Sequence, residues 1–113
     1  MKNEQVAQAF YDGYGEGIQG TQNMNIEEVN GVLIVYSYGE HFPISIKFND
    51  GFLFNKSSYS NTTARHKSLI KNEMHDDDLN DGDYMTTSEL KQVVDDIKYN
   101  GVRSKAELIE KQI

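Results

Sequence analysis

GVLIVYSYGEHFPISIKFNDGFLFNKSSYSNTTARH, residues 31–66, holds most of the strong strand formers in the chain. Val32 to Tyr38 alternates Val32, Ile34, Tyr36 and Tyr38 against Leu33, Val35 and Ser37. Both sets are largely apolar, which points to a strand in the middle of a sheet. Further on, Phe42, Ile44, Ile46 and Phe48 share one face of a second strand, with Ser45 and Lys47 on the other. That alternation predicts one buried face and one wet face. Pro43, the only proline, belongs at a strand start or on an edge, because it has no N–H for the ladder.

Turn chemistry divides the stretch. Asn30-Gly31 is a strong two-residue hairpin signal, since both residues tolerate positive φ. Gly39-Glu40 permits another tight turn, and Asn49-Asp50-Gly51 a third. With Met24 to Val29 before and Phe52 to Asn55 after, the short connections imply antiparallel neighbours.

The flanks read as helices. Val6, Ala9 and Phe10 make one apolar stripe over residues 3–12, with Asn3 as N-cap. Gly13, Gly15, Gly17 and Gly20 then end that helix near Asp12. GYGEG has no preceding strand and no G-x-G-x-x-G spacing, so it reads as a connection rather than a phosphate loop. After the strands a helix opens near Thr62 or Thr63, either of which can cap it, with Thr63, His66, Leu69, Ile70 and Met74 facing inward. The acidic run His75 to Asp78 opposes a helix C-terminus and stops it. Thr86 to Glu89 is a capping box for a helix carrying Leu90, Val93, Val94 and Ile97, which ends at Asn100-Gly101. Ser104 to Glu107 is a second capping box, with Leu108 and Ile109 as anchors of a short last helix. The expected fold is α+β in a single domain, residues 1–113. It is an antiparallel meander of three or four strands, with an N-terminal helix and C-terminal helices packed on one face.

The formal net charge is -7. An acidic surface disfavours a direct grip on nucleic acid or on an anionic membrane. It suits a protein that is simply soluble, as most acidic proteins are, or one that docks on the basic groove of a partner. Cysteine is absent, which excludes disulfides and thiolate metal sites and fits a reducing compartment. Met-Lys-Asn-Glu leads into no apolar run, so no signal peptide is expected, and no segment reaches membrane-spanning length.

Two stretches carry candidate chemistry. In Tyr59 to His66, YSNTTARH, hydroxyls, Arg65 and His66 at a helix start could bind an anion. Ser60, Thr63 and His66 also contain a hydroxyl nucleophile and a base, against the simpler reading of a cap and an inward histidine. Asp78 to Glu89, DLNDGDYMTTSE, resembles a calcium loop, with Asp78 first, Asn80 third and Glu89 twelfth. Gly82 stands where an oxygen ligand is needed and Asp83 where the turn wants glycine, so the loop is degenerate. His41, His66 and His75 are far apart and no metal-ligand spacing exists, so neither a metal nor another cofactor is expected. No catalytic constellation stands out, and a non-enzyme is expected. The residues expected to contact a partner are Asp76, Asp77, Asp78, Asp81, Asp83 and Tyr84, with Tyr36 and Tyr38.

Tyr36-Ser37-Tyr38 followed by Tyr59-Ser60-x-Thr62-Thr63-x-x-His66 resembles a widespread group of small bacteriophage proteins, most without assigned function. The short helix with Phe10, the Asn23-Met24 pair and the Asn30-Gly31 turn belong to the same resemblance, which covers Val6 to Ile70. It implies a bacterial host cytoplasm. By analogy with other small acidic phage proteins it implies an inhibitor of host defence, such as an anti-CRISPR protein bound to a Cas nuclease. The alternatives are a calcium-responsive module, a phage structural accessory, and a small enzyme.

Overall fold

The fold is taken from a computed structural model, which describes residues 2–15, 24–39 and 41–111. Gly17 and Gly20 of the glycine segment, Asn23 of the Asn-Met pair and Glu40 of the expected second turn lie outside the described residues. The described residues form α1 (Asn3–Asp12), β1 (Met24–Val29), β2 (Val32–Ser37), β3 (Phe42–Phe48), β4 (Gly51–Asn55), α2 (Asn61–Glu73), a 3-10 turn (Asp81–Asp83), β5 (Tyr84–Met85), α3 (Thr87–Asn100) and α4 (Lys105–Lys111). The α+β class and the meander stand, with one strand more than expected. The sheet has five strands in sequence order, β1 to β4 antiparallel and β5 parallel to β4. Two residues, Tyr84 and Met85, are too few to show a two-residue alternation, so β5 leaves no strand signal in the sequence.

The hairpin chemistry of Asn30-Gly31 holds, with φ of 53° and 83° at the two residues. At the second turn the positive φ values fall on Tyr38 (61°) and Gly39 (64°). His41 N–H donates to the Tyr38 carbonyl at 3.3 Å, so the turn runs from Tyr38 to His41 around the expected Gly39, and Tyr38 is a turn residue rather than a strand residue. A tyrosine in the left-handed region is uncommon and is held there by its surroundings.

The main correction concerns β3. Val35 pairs with Ser45, but the next residue, Tyr36, pairs with Pro43, so Ile44 is an extra residue in β3. A bulge of this kind reverses the side-chain parity along the strand. Phe42 and Ile44 therefore join one core, with Val6, Phe10, Met24, Ile26, Leu33, Val35, Phe52, Phe54 and Ile70. Ile46 and Phe48 join the other, with Val32, Ile34, Tyr36, Leu53, Leu90, Val93, Val94, Ile97, Val102 and Leu108. No face of β3 is wet. The helices are accordingly not all on one face: α1 and α2 cover the first, α3 and α4 the second. Ser45 sits on the first face, where its hydroxyl donates to the Leu53 carbonyl at 2.6 Å. Lys47 lays its ammonium 4.5 Å from the Phe52 ring centre.

The caps show which signals were local. Glu89 N–H donates to Thr86 Oγ1 and Thr86 N–H to Glu89 Oε1, which completes the expected box. Ser104 accepts from Glu107 N–H, but Asp50 of the β3–β4 turn also caps α4, accepting from Lys105 and Ala106 N–H. Leu108 is buried, whereas Ile109 is 59% exposed and is not an anchor. Two caps move by a residue or more: Ser60, not Thr62 or Thr63, caps α2, and Lys2 occupies the cap of α1, so Asn3 is its first residue.

With Ile46 and Ile70 on opposite faces, Ile46→Ala and Ile70→Ala should each cost about 2–4 kcal/mol in urea unfolding. Their effects should add within about 0.5 kcal/mol in the double variant. Coupling well above that would place both side chains in one core and remove the parity switch.

Candidate functional site

On the face covered by α1 and α2, the apolar packing gives way to a buried polar seam at the end of β2. Ser37 is the last residue of β2 and is fully buried. Its Oγ lies 2.7 Å from His66 Nδ1 and 3.1 Å from Thr63 Oγ1. Thr63 Oγ1 accepts from the Ser60 hydroxyl, and Ser60 Oγ accepts from Thr63 N–H. On the other side of the ring, Asn3 Nδ2 is 3.4 Å from His66 Nε2. The seam joins α1, β2 and α2 through residues up to 63 positions apart. Thr63, His66 and Ile70 do face inward as the stripe requires. The sequence reading paired His66 with hydroxyls of its own segment and missed Ser37 and Asn3. Tyr-Ser-Tyr carried the available signal, a serine between two aromatics in an apolar strand.

Burial pushes the His66 imidazole below its ordinary value of 6.5. A histidine with both nitrogens in a neutral polar seam and no carboxylate bonded to it is poised for packing. As a general base it would need a substrate, and Ser37, Thr63 and His66 are each 2% exposed or less. The nucleophile-and-base reading of Ser60, Thr63 and His66 thus meets a capping serine and two enclosed side chains.

Beside the seam an open cleft of about 950 Å³ runs between the first turn of α1 and the outer flank of α2. Lys2, Asn3 and Glu4 form one wall, and Thr62, Arg65 and Leu69 the other, with Tyr38 at its rim. The Thr62 hydroxyl, and after it that of Ser60, pull the Tyr38 phenol below its usual 10.0. Tyr59, 66% exposed, stands edge-on to Tyr38 at 6.0 Å and also meets Phe42 at 5.6 Å.

The acidic run lies beyond the other end of α2, roughly 20 Å away by helix length. Its carboxylates divide into two groups. Asp78 turns inward and accepts from the Tyr11 hydroxyl at 2.8 Å and from His75 N–H at 2.7 Å. Burial alone would raise it, but these donors hold it below the usual carboxyl range. Asp83 is buried, ion-paired with Lys105 Nζ at 2.6 Å, and caps the 3-10 turn through Asn80 N–H. Asp76, Asp77 and Asp81 remain exposed, with no hydrogen bond or ion pair among the described residues. Tyr84 is half-buried in β5, takes a hydrogen bond from Lys71 and stands edge-on to Phe54. Tyr36 is 2% exposed and donates its hydroxyl to Glu27, so it cannot form part of a contact surface. Of the expected contact residues, Asp76, Asp77 and Asp81 form one outward group and Tyr38 lies apart from them. Asp78, Asp83 and Tyr36 face the interior.

In the loop resembling a calcium site, Asp78 and Glu89 are satisfied by Tyr11, His75 and Thr86. Among the described residues no three His, Asp or Glu side chains converge to hold a metal ion.

The pH dependence of stability follows from His66. Unfolded imidazole takes up its proton near pH 6.5, the buried one only at lower pH. In that window the unfolded chain binds more protons, so stability is full above about pH 6.5 and declines as pH falls toward the folded value. Urea midpoints should drop between about pH 7.5 and about pH 5.5, and an NMR titration should place His66 below 6.5. A titration at or above that value would overturn the reading of the seam.

No curated protein and no solved structure matches the chain. One family model does, over residues 9–87, a span that runs from the second half of α1 through all five strands, α2 and the acidic run. The seam residues Ser37, Thr63 and His66 fall within it, and on this match the chain belongs to DUF8033, a family of unknown function.

Proposed function

We propose that this protein is a non-enzymatic inhibitor that docks on a nucleic-acid-handling defence enzyme of a bacterial host, in the manner of an anti-CRISPR protein on a Cas nuclease. The observation that carries the reading is the trio Asp76, Asp77 and Asp81, exposed and unpaired on a short segment braced at both ends. Asp78 ties that segment to Tyr11 of α1, and Asp83 ties it to Lys105 of α4. A braced acidic loop loses little freedom on binding, so more of the electrostatic attraction survives as affinity. It can occupy a groove that normally holds phosphates, at steered association rates. The net charge of -7 acts in the same direction. Tyr84, next to the trio in sequence, is the aromatic contact that goes with it. The resemblance to phage proteins supplies the host context: a bacterial cytoplasm.

The calcium-module reading would require Asp78 and Glu89 to leave their present donors. The structural-accessory reading has no observation of its own.

A pull-down from bacterial lysate should capture a basic nucleic-acid enzyme at low salt and lose much of it at high salt, since charges separated by more than about 10 Å are screened at ~0.1 M. The bound enzyme should be displaced by DNA or RNA. In the triple variant Asp76→Asn, Asp77→Asn, Asp81→Asn, binding should weaken and its salt dependence flatten. Undiminished, salt-resistant capture by that variant would end the proposal.

A further inference from the structure

We propose that the first turn of α1 is an acid-released latch: a proton taken up by His66 lifts the Asn3 end of α1 off the polar seam, while the Asp12 end stays docked. The device is separate from the acidic docking surface and does not rest on it.

α1 is held unequally along its length. At the Asp12 end, Phe10 and Tyr11 pack on Phe52 with ring centres 6.1 and 5.5 Å away. The Tyr11 hydroxyl donates to Asp78, and Gly13 N–H closes the last turn on the Phe10 carbonyl. The other half of the helix buries only the smaller apolar side chains of Val6 and Ala7. Among the described residues, its side-chain hydrogen bond to the rest of the fold is that of Asn3 Nδ2 to His66 Nε2, at 3.4 Å. That bond is long, and Asn3 Oδ1 is buried beside it with no partner. A buried amide oxygen without a donor is costly. Lifting the first turn returns that oxygen to water, so the docked state carries a defect that the lifted state lacks.

His66 stands behind this turn. Asn3 and His66 line the same cleft, so lifting the turn brings Nε2 to the solvent of the cleft. While the turn is docked, the ring meets neutral groups from each element around it: Asn3 of α1, Ser37 of β2 and Thr63 beside it on α2. The charged groups at the cleft are Lys2 and Glu4 at the start of α1 and Arg65 of α2, with the Tyr38 phenol past the end of β2. Two cations against one carboxylate oppose a third positive charge.

An imidazolium donates from both nitrogens, yet Asn3 presents the donor Nδ2 to Nε2. Turning the amide over would offer Oδ1 instead, but the buried charge would still have no carboxylate bonded to it. Burial therefore holds the docked ring below 6.5, whereas the lifted ring, in water, takes its proton near that value. The lifted state binds more protons, so it gains on the docked state as pH falls below about 6.5. The other tie behaves differently. Its hydrogen-bond donors hold the Asp78 carboxyl below the usual range, so Tyr11 stays tied at a pH that frees Asn3.

The test is amide hydrogen exchange of the full chain by NMR, corrected for intrinsic exchange rates, with urea added in small steps. Val6 N–H, bonded to the Lys2 carbonyl, and Ala7 N–H should exchange through an opening that lies below global unfolding and is nearly insensitive to low urea. Its equilibrium constant should rise about three- to tenfold from about pH 7.5 to about pH 5.5. In His66→Gln the rise should vanish. Exchange of Val6 and Ala7 through global unfolding alone, or an equal rise in His66→Gln, would overturn the latch. The wild-type chain gives a readout that needs no variant: the rise should set in near pH 6.5 and level off where the His66 ring itself titrates. Onset only below about pH 4.5, where carboxylates take up protons, would overturn it as well. Tyr11→Phe keeps the ring on Phe52 and drops the bond to Asp78, and should extend the opening to the Phe10 amide. Unchanged protection of Phe10 would overturn the role of the second tie.

Discussion

A single extra residue in β3 sets the terms for the rest of the molecule. Ile44 has no partner of its own in β2, and the parity of β3 reverses across it. Without the bulge, Phe42, Ile44, Ile46 and Phe48 would crowd one face and leave Ser45 and Lys47 to the other. With it, each half of the strand feeds a different core. Both sheet faces are then apolar and both need covering, so the helices must divide between them. β2 itself alternates without a break, so Tyr36 points into the α3–α4 core while its neighbour Ser37 faces α2.

That placement of Ser37 creates the polar seam. A hydroxyl brought into an apolar layer must find a partner, because an unpaired one costs roughly 1–3 kcal/mol. Here the partners come from α2 as Thr63 and His66, and through His66 from α1 as Asn3. The seam ties α1 and α2 to the end of β2, and the cleft is the space left where α1 begins against the flank of α2.

α2 separates two surfaces of opposite character. Arg65 stands near its N-terminal end, while Glu73, Asp76 and Asp77 crowd its C-terminal end. Both arrangements oppose the helix macrodipole, which favours carboxylates at the start and cations at the finish. Charges set against the dipole do not stabilise the helix that carries them. Their placement is a cost that the stability of α2 itself does not explain. Asp78 and Asp83 belong to a different class, since each is bonded to the body of the protein and shapes the loop from which Asp76, Asp77 and Asp81 project.

Most of what depends on neighbours within about four residues was legible in the sequence, the caps of α1 and α2 being the exceptions. The Asn30-Gly31 turn, the Thr86–Glu89 box, the end of α3 at Gly101 and the inward stripe of Thr63, His66 and Ile70 all follow from local sterics, capping and periodicity. The α+β class follows from their order. Tertiary contact alone decided the rest. The parity of β3 depends on which residue of β2 each of its residues meets, and the β3 sequence, read alone, looks regular. β5 exists because β4 offers an edge for two residues. Asp83 turns inward because Lys105 is there to meet it, and His66 finds Ser37 and Asn3 across 29 and 63 positions of chain. Residue type announces what a side chain requires, a partner for a hydroxyl or cover for an isoleucine, but only the packed chain brings the particular partner within 3 or 4 Å.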